Sequence, residues 1–395
     1  MAARFPTPGL KDGVDFSGTV AAVGEGVREF TVGDPVFGCV PSNKQDDPES
    51  GSFGQFVKVE EIYALRIPPN TSFEEALAFA PACVSTAALA LHESLKMPAT
   101  PDEVRHYQDR KAGETVLVYG GSSSVGLLAI QLLKLCGYRV ATTCSPHNFN
   151  LVKKYGADAV FDYRSPTCAA DIKAYTRNRL RRVIDPFGEI ATTSLCYEAI
   201  GRAGGTYCAL EQYEKSLCTR QTVHHQLVMG PAILGRGVLL PEPYGAEADP
   251  ELHEWSKRFY RSLQSLIDER KLKPLPIKVL EPGFWAEVDF AGLAVRELLN
   301  NNFHTARFQA PPHVFMWELI YGEVFRVCGK MTEDGNSGFP SPGIEDIVFI
   351  AGEAAGCHDL RYADGHDLFD VGIVFLGRQG LRHVQGYSGK GQDLP

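Results

Sequence analysis

Apolar and polar positions follow two different periods in the middle of the chain. Residues 115–119 form a continuous apolar and β-branched run, which is typical of a strand buried on both faces of a parallel sheet. Residues 125–136 carry apolar side chains at helical spacing, and Gly137 ends that pattern. Glycines and serines fill the stretch 120–126 between them. The sequence therefore predicts a strand, a tight turn and an amphipathic helix in direct succession.

Strand and helix patterns continue to alternate after this unit. Such a β-α-β series builds a right-handed, doubly wound parallel sheet, so we predict an α/β fold. The predicted strands cover 138–144, 156–163, 182–185, 205–210 and 276–280, and the predicted helices cover 168–176, 193–200, 253–268 and 285–299.

The first part of the chain has the pattern of β-structure followed by helices. Strand patterns cover 14–24 and 54–59, and a Gly-Asp turn precedes a further strand near 36–38. Residues 72–95 have a helical pattern, and Ser72 with Glu75 forms a capping-box sequence at its start. Because Pro81 interrupts this pattern, we predict two helices that meet near 80–83.

Composition and charge exclude several classes of function. Apolar content of 44% and charged content of 22% are ordinary for a globular protein, and the net charge of -9 argues against nucleic acid and anionic membranes as partners. No apolar run looks long enough to span a bilayer, and the first residues lack the apolar core of a signal peptide. We therefore expect a cytoplasmic protein. The ten cysteines are scattered without a Cys-x-x-Cys pair, which predicts buried thiols instead of disulfides or a zinc site.

The turn at 120–126 has the chemistry of a phosphate site. A helix N-terminus with free backbone N–H groups attracts phosphate. Gly120 and Gly121 allow the backbone to approach a pyrophosphate closely, and Gly126 allows the helix to pack closely on the strand. The alternative is an ordinary strand-to-helix turn with no ligand. The position of the glycines between a buried strand and an amphipathic helix favours a dinucleotide site.

The end of the second strand of this unit bears on which dinucleotide binds. A carboxylate there would bind the ribose 2′-hydroxyl of NAD and repel a 2′-phosphate. This chain has Thr143-Cys144-Ser145 there and no Asp or Glu nearby, while Ser145, His147 and Asn148 offer hydrogen-bond donors. The sequence favours NADP. Alternatively, Ser145 and Pro146 only cap the next helix.

Two pairs of segments carry a family resemblance. Residues 116–126 and 129–134 resemble the medium-chain dehydrogenases/reductases, and residues 142–149 and 156–164 resemble, more narrowly, the fungal trans-acting enoyl reductases of polyketide biosynthesis. The resemblance extends from about residue 6 to residue 301. It implies a GroES-like catalytic domain, a Rossmann domain that binds NADPH, and a cleft between them.

The resemblance also implies the domain boundaries. They are 1–98 for a GroES-like domain truncated at its start, 99–240 for the Rossmann domain, 241–302 for the end of that domain and the return to the first, and 303–395 for an atypical tail that we expect to be irregular.

The function implied by the resemblance is NADPH-dependent reduction of an α,β-double bond in an acyl chain on the acyl carrier protein of a polyketide synthase or a polyketide synthase–peptide synthetase hybrid. We expect a monomer. Two alternatives stay open at this point. One is an inactive or scaffold remnant that keeps the cofactor fold, because both ends of the chain depart from the family. The other is a free-standing quinone or enone reductase of the same superfamily.

Site residues follow from the resemblance by position. The residues implied to bind the cofactor are Gly120, Gly121, Ser122, Ser123, Ser124, Val125, Gly126, Ser145, Pro146, His147, Asn148, Tyr163, Leu210 and Glu211. The residues implied to line the acyl pocket are Ala80, Pro81, Ala82, Cys83, Val84, Ser85, Thr86, Ala87, Gly230, Pro231, Ala232, Ile233 and Leu234. Packing at a domain junction is the alternative for the second set.

The predicted mechanism uses no metal. Zinc-dependent relatives carry a Gly-His-Glu motif, and the corresponding residues here are Gly13-Val14-Asp15. Catalysis would then depend on placing the nicotinamide near the β-carbon and on stabilising a developing enolate. Thr86 is a weak candidate for a donor to the thioester oxygen, and a packing role inside its helix is the alternative.

Overall fold

The computed structural model describes residues 10–11, 13–42, 44–52, 56–107 and 113–279, together with the backbone of two further short strands. The predicted helix at 285–299 lies outside the described residues. Both further strands, β14 (Val324–Arg326) and β15 (Asp346–Ile350), fall in the segment that the sequence analysis treats as a tail.

An antiparallel sheet of five strands forms the first part of the protein. Its strand order is β3-β15-β1-β2-β4, so β15 pairs with β1 on one side and with β3 on the other. Phe16, Val36 and Phe37 are at most 1% exposed, and because Val36 and Phe37 are consecutive and point to opposite faces, β2 is covered on both faces. The strands from the first part of the chain are β1 (Asp15–Val23), β2 (Pro35–Cys39), β3 (Phe56–Glu60) and β4 (Ala64–Arg66).

A parallel sheet of six strands forms the second part and confirms the predicted doubly wound architecture. The order is β10-β9-β8-β5-β6-β7. Strands β5 to β7 follow one another toward one edge of the sheet, and β8 to β10 follow one another toward the other edge, so the strand order reverses between β5 and β8. Ligands of such sheets bind at the carboxyl ends of the strands beside this reversal. The strands are β5 (Thr115–Val118), β6 (Arg139–Cys144), β7 (Ala159–Asp162), β8 (Arg182–Asp185), β9 (Gly205–Ala209) and β10 (Val223–Leu227).

Helices cover the parallel sheet and join it to the first part. Their bounds are α1 (Phe73–Leu77), α2 (Pro81–Leu89), α3 (Ser124–Leu135), α4 (Phe149–Lys154), α5 (Cys168–Tyr175), α6 (Ile190–Ala199) and α7 (Pro250–Asp268). Three short strands, β11 (Arg236–Val238), β12 (Ala246–Ala248) and β13 (Ile277–Val279), lie outside the two main sheets.

The start of the helical region agrees with its sequence. Ser72 accepts a hydrogen bond from the Glu75 amide, and the Glu75 side chain accepts one from the Ser72 amide, as the capping-box pattern predicts. Two helices, α1 and α2, meet before Pro81, as predicted. The segment Phe73–Ser94, which contains both helices, is nevertheless long and apolar enough to cross a membrane by length and composition. The expectation that no run reaches that length is therefore wrong; 72% of the run's most apolar window is buried inside the protein, as in a core helix.

The long helix α7 packs against the first sheet and against α2. Trp255, Phe259 and Leu263 lie on its buried face, which follows from its amphipathic pattern. The Tyr260 hydroxyl lies 3.1 Å from the Cys39 sulfur on β2 and 2.7 Å from the Ser85 hydroxyl on α2.

Within the part of the chain that the structure describes, eight cysteines are free, and all of them except Cys218 are buried, as predicted.

Candidate cofactor and substrate site

The turn between β5 and α3 forms a closed loop that presents a helix N-terminus. Gly120 has a φ of 62°, a left-handed conformation that favours glycine. Both the amide and the hydroxyl of Ser123 donate to the Gly120 carbonyl oxygen, at 2.9 and 2.8 Å. The same hydroxyl accepts from the Gly126 amide at 3.1 Å, so Ser123 caps α3. This arrangement leaves the first amides of the helix available to an anion.

Two glycines allow the turn to pack closely against the sheet and the helix. A Cβ on Gly121 would lie 1.9 Å from the Thr142 Oγ1, and a Cβ on Gly126 would lie 2.5 Å from the Gly120 carbonyl oxygen. Only glycine fits at either position. The hydroxyl of Ser124, at the start of α3, is buried and has no hydrogen-bond partner among the described residues. An orphaned hydroxyl beside free helix amides matches the donor set that a pyrophosphate requires, so the residues fit a nicotinamide dinucleotide.

A second group of polar residues lies at the carboxyl ends of β6 and β7. The Ser145 hydroxyl lies 3.4 Å from the Tyr163 hydroxyl, and an Arg164 Nη2 donates to the Ser145 Oγ at 3.3 Å. The Arg164 guanidinium also stacks over the Tyr163 ring at 5.3 Å. These side chains are exposed or half-buried, so a phosphate could reach them from solvent.

Arg164 is the residue that sequence reasoning missed. It follows Tyr163 directly in the motif that carried the resemblance, and a usable signal was present. Parallel strands β6 and β7 pair with Cys144 opposite Asp162, so the residues just after each strand must lie side by side. His147, the basic residue that the sequence suggested, is exposed in a short turn at Pro146–Asn148.

Leu210 and Glu211 lie on the same edge of the sheet, just after β9. The Leu210 amide donates to the Asp185 carbonyl oxygen at 3.0 Å, and the Glu211 carboxylate accepts from the Tyr244 hydroxyl. The structure thus brings the cofactor residues implied by the sequence to the carboxyl edge of one sheet. Their individual roles stay predictions.

The two segments implied to line the acyl pocket contact each other. The short helix Gly230–Leu234 packs against α2, and a Cβ on Gly230 would lie 2.4 Å from the Thr86 Oγ1. Several members of the set face the core instead of the surface, and Ser85, which is 1% exposed, is one of them. The other buried members are Ala80, Pro81, Cys83, Val84, Ala87, Ile233 and Leu234. The half-buried members, which could meet a ligand directly, are Ala82, Thr86, Gly230, Pro231 and Ala232.

Thr86 makes an internal hydrogen bond in this structure. Its hydroxyl donates to the Ala82 carbonyl oxygen one helical turn earlier, at 2.8 Å. Its single hydroxyl proton is therefore already used, although the oxygen can still accept. A role as donor to the thioester oxygen stays a prediction.

The described residues include no group that could hold a metal ion, and a cavity of considerable size lies away from the glycine turn. Within the described ranges, no group of three or more His, Cys, Asp or Glu side chains could hold a metal ion. A cavity of about 910 Å³ is lined by residues at the amino ends of the strands, including Arg182, Gly205 and Val223. That edge lies opposite to the glycine turn.

Comparisons with known proteins agree with this geometry. Residues 2–69 match the family described as "Alcohol dehydrogenase GroES-like domain", and residues 124–225 match that described as "Zinc-binding dehydrogenase". Enoyl reductase cheB of Chaetomium globosum is 46% identical over 290 residues, which cover 71% of this chain and 76% of that protein. Trans-enoyl reductase RAP1 of Pyricularia oryzae is 45% identical over 293 residues, which cover 73% and 80%.

Solved structures show the same fold at lower identity. The chain is similar to the CurK enoyl reductase, with a TM-score of 0.52 and 21% identity over 69% of this chain and 72% of that one. It is also similar to the JamJ enoyl reductase, with a TM-score of 0.55 and 19% identity over 74% and 76%. Together with the family matches, they confirm the predicted combination of a GroES-like unit and a Rossmann sheet.

Proposed function

We propose a specific reaction for this chain, which belongs to the fungal trans-enoyl reductases. It uses NADPH to reduce the α,β-double bond of an acyl chain on the acyl carrier protein of a polyketide synthase. The fold and the relatives support reductase chemistry with a nicotinamide cofactor. The choice of NADPH, the carrier-protein partner, a monomeric state and a cytoplasmic location belong to the proposal.

The observation that carries the choice of cofactor is the group of side chains around Ser145. Arg164 supplies a full positive charge there, and Ser145 supplies a hydroxyl. A 2′-phosphate would gain charge-assisted hydrogen bonds from this pair, whereas a 2′-hydroxyl would gain little from the guanidinium. No carboxylate occurs between residues 139 and 149 to select the unphosphorylated cofactor.

In this mechanism, the chain's own residues bind the cofactor and the acyl group and orient them relative to each other. When bound, NADPH would supply the hydride that adds to the β-carbon of the enoyl chain, and a proton would then reach the α-carbon to complete the reduction. The turn at Gly120–Gly126 holds the pyrophosphate through helix amides and the Ser124 hydroxyl. Ala82, Thr86 and the Gly230–Leu234 helix offer a surface of small side chains for the acyl group. Rate enhancement then comes mainly from holding the two reactants in the correct orientation.

We expect Arg164→Ala to raise the KM for NADPH by about tenfold, because the lost hydrogen bond to the 2′-phosphate would be charge-assisted but solvent-exposed. The KM for NADH should stay unchanged, because NADH has no 2′-phosphate. The measurement is initial-rate kinetics with both cofactors. Arg139→Ala is the matched control, since Arg139 also stacks on a tyrosine, Tyr175, at 5.6 Å but lies at the opposite end of β6. An equal loss with NADH, or an equal loss in the control, would contradict this assignment.

The reaction itself is tested by cofactor oxidation with three substrates. We expect oxidation of NADPH with a 2-enoyl thioester, faster turnover with the same chain on an acyl carrier protein, and little turnover with a quinone. Saturable NADPH binding without turnover of any substrate would show a remnant that keeps only the cofactor fold. Turnover of the quinone alone would show a free-standing reductase.

A further inference from the structure

Asp15 links the first sheet to the start of the acyl-lining helix. It lies at the beginning of β1, and its Oδ1 accepts a hydrogen bond from the Ala82 amide on α2 at 2.7 Å. Helix α2 has no side-chain cap of its own, because Ala80 occupies the N-cap position and Pro81 follows it without an N–H. The Cys83 and Val84 amides both donate to the Ala80 carbonyl oxygen. Asp15 therefore caps this helix from another element.

The backbone at this point needs outside support. Ala80 has φ 45° and ψ 70°, a left-handed conformation that non-glycine residues rarely adopt. Such a conformation persists only where the surroundings over-determine it. Burial of Ala80 and the bond between Asp15 and Ala82 are two such constraints. The position of the first turn of α2 thus depends on Asp15.

The second oxygen of Asp15 has no structural use that the described residues reveal. Its Oδ2 is buried and has no hydrogen-bond partner among them. The ionisable groups that face the carboxyl are the thiols of Cys39 on β2 and Cys83 on α2, and the Tyr260 hydroxyl on α7 lies beyond Cys39. Burial raises the pKa of Asp15 to about 7, so both of its protonation states are populated near neutral pH. A buried carboxyl with a hydrogen bond to only one of its oxygens destabilises the folded state, so the presence of Asp15 here needs another explanation.

The capped turn leads directly to the predicted acyl surface. The Ala82 amide donates to Asp15, and the Ala82 carbonyl oxygen accepts from the Thr86 hydroxyl. Thr86 in turn lies against Gly230 of the second acyl-lining segment. Three consecutive contacts therefore connect Asp15 to the half-buried residues that would meet an acyl chain.

We propose that Asp15 is a positioning residue for the acyl substrate, which fixes the first turn of α2 and so the surface formed by Ala82, Thr86 and Gly230. This inference rests on the proposed function. The ionised carboxylate is the stronger acceptor for the Ala82 amide, so the surface is held more firmly as pH rises through 7. The KM for the acyl thioester should accordingly fall over that range.

The test compares Asp15→Ala, Asp15→Asn and Val20→Ala. Val20 is a buried residue of the same strand, so its truncation destabilises β1 without removing the helix cap. At saturating NADPH, we expect Asp15→Ala to raise the KM for a 2-enoyl thioester about tenfold, as the loss of a cap bond implies, with an unchanged Kd for NADPH. Asp15→Asn keeps an acceptor and should restore most of the affinity, but it should abolish the change of KM between pH 6 and pH 8.

Three kinetic results would overturn the inference. They are a thioester KM in Asp15→Ala equal to that of the wild type, an equal increase of KM in Val20→Ala, or an unchanged pH profile in Asp15→Asn. Hydrogen exchange over residues 82–87 gives a readout that needs no turnover. Faster exchange there in Asp15→Ala than in Val20→Ala would support the positioning role even if the wild type reduced no thioester, which would refute only the proposed function. Equal exchange would overturn the inference.

Discussion

Gly126→Ala is expected to weaken NADPH binding by roughly 100-fold or more, because the turn would lose charge-assisted hydrogen bonds to the pyrophosphate. The added Cβ would lie 2.5 Å from the Gly120 carbonyl oxygen and 2.8 Å from the Gly121 Cα. Both are backbone atoms of the turn that would hold the pyrophosphate, so the helix and the turn must move apart. The helix amides and the Ser124 hydroxyl would then no longer converge on one phosphate. Titration of the protein with NADPH, followed by fluorescence or calorimetry, measures the loss.

Gly113→Ala separates loss of binding from loss of stability. Gly113 has a φ of 75°, so alanine there strains the backbone, but the added Cβ would meet no atom within 4 Å. It should lower the midpoint of thermal unfolding slightly and leave the Kd for NADPH unchanged. A Gly126→Ala protein that binds NADPH as tightly as the wild type would remove the glycine turn from the cofactor site.

The sequence predicts the strand and the helix around this turn well, because each of them depends on residues that are neighbours in the chain. The apolar run at 115–119, the helical spacing after 124 and the Ser72 capping box each concern neighbours in the chain. The parallel, doubly wound character of the second sheet also follows from the β-α-β series, since the crossovers of such units are nearly always right-handed.

The missed features all depend on contacts between distant segments. The charge of Arg164 becomes relevant only when β6 and β7 pair in register and place it beside Ser145. The resemblance implies Ser85 for the acyl pocket, and only the fold shows that its hydroxyl lies 2.7 Å from that of Tyr260, 175 residues further along the chain. The cap that Asp15 provides to α2 spans 67 residues and has no sequence pattern. Site residues carried over by position therefore name segments, and only the packing shows which of their side chains are buried in the core.

Asp185→Ala is expected to lower the free energy of unfolding by about 3 kcal/mol, because it leaves several buried donors without an acceptor. The Asp185 carboxyl, at the end of β8, accepts from the Thr192 hydroxyl at 2.7 Å, the Tyr207 hydroxyl at 2.7 Å and the Phe187 amide at 3.0 Å. Burial raises the pKa of this carboxyl above its usual value. Asp185→Asn retains an acceptor and should cost much less. Urea denaturation measures both.

This carboxyl also supports the cofactor edge of the sheet. It accepts a hydrogen bond from the Phe187 amide and so holds the Phe187 loop. A Cβ on Gly120 would lie 2.3 Å from the Phe187 ring, and this ring packs edge-on against the Tyr119 ring with centroids 5.9 Å apart. Release of the loop should therefore also raise the Kd for NADPH several-fold. Asp102→Ala is the control, since that exposed carboxylate accepts from the Ser262 hydroxyl at 2.6 Å far from the turn. If Asp185→Ala were no less stable than Asp102→Ala, the buried network would not be what fixes this edge.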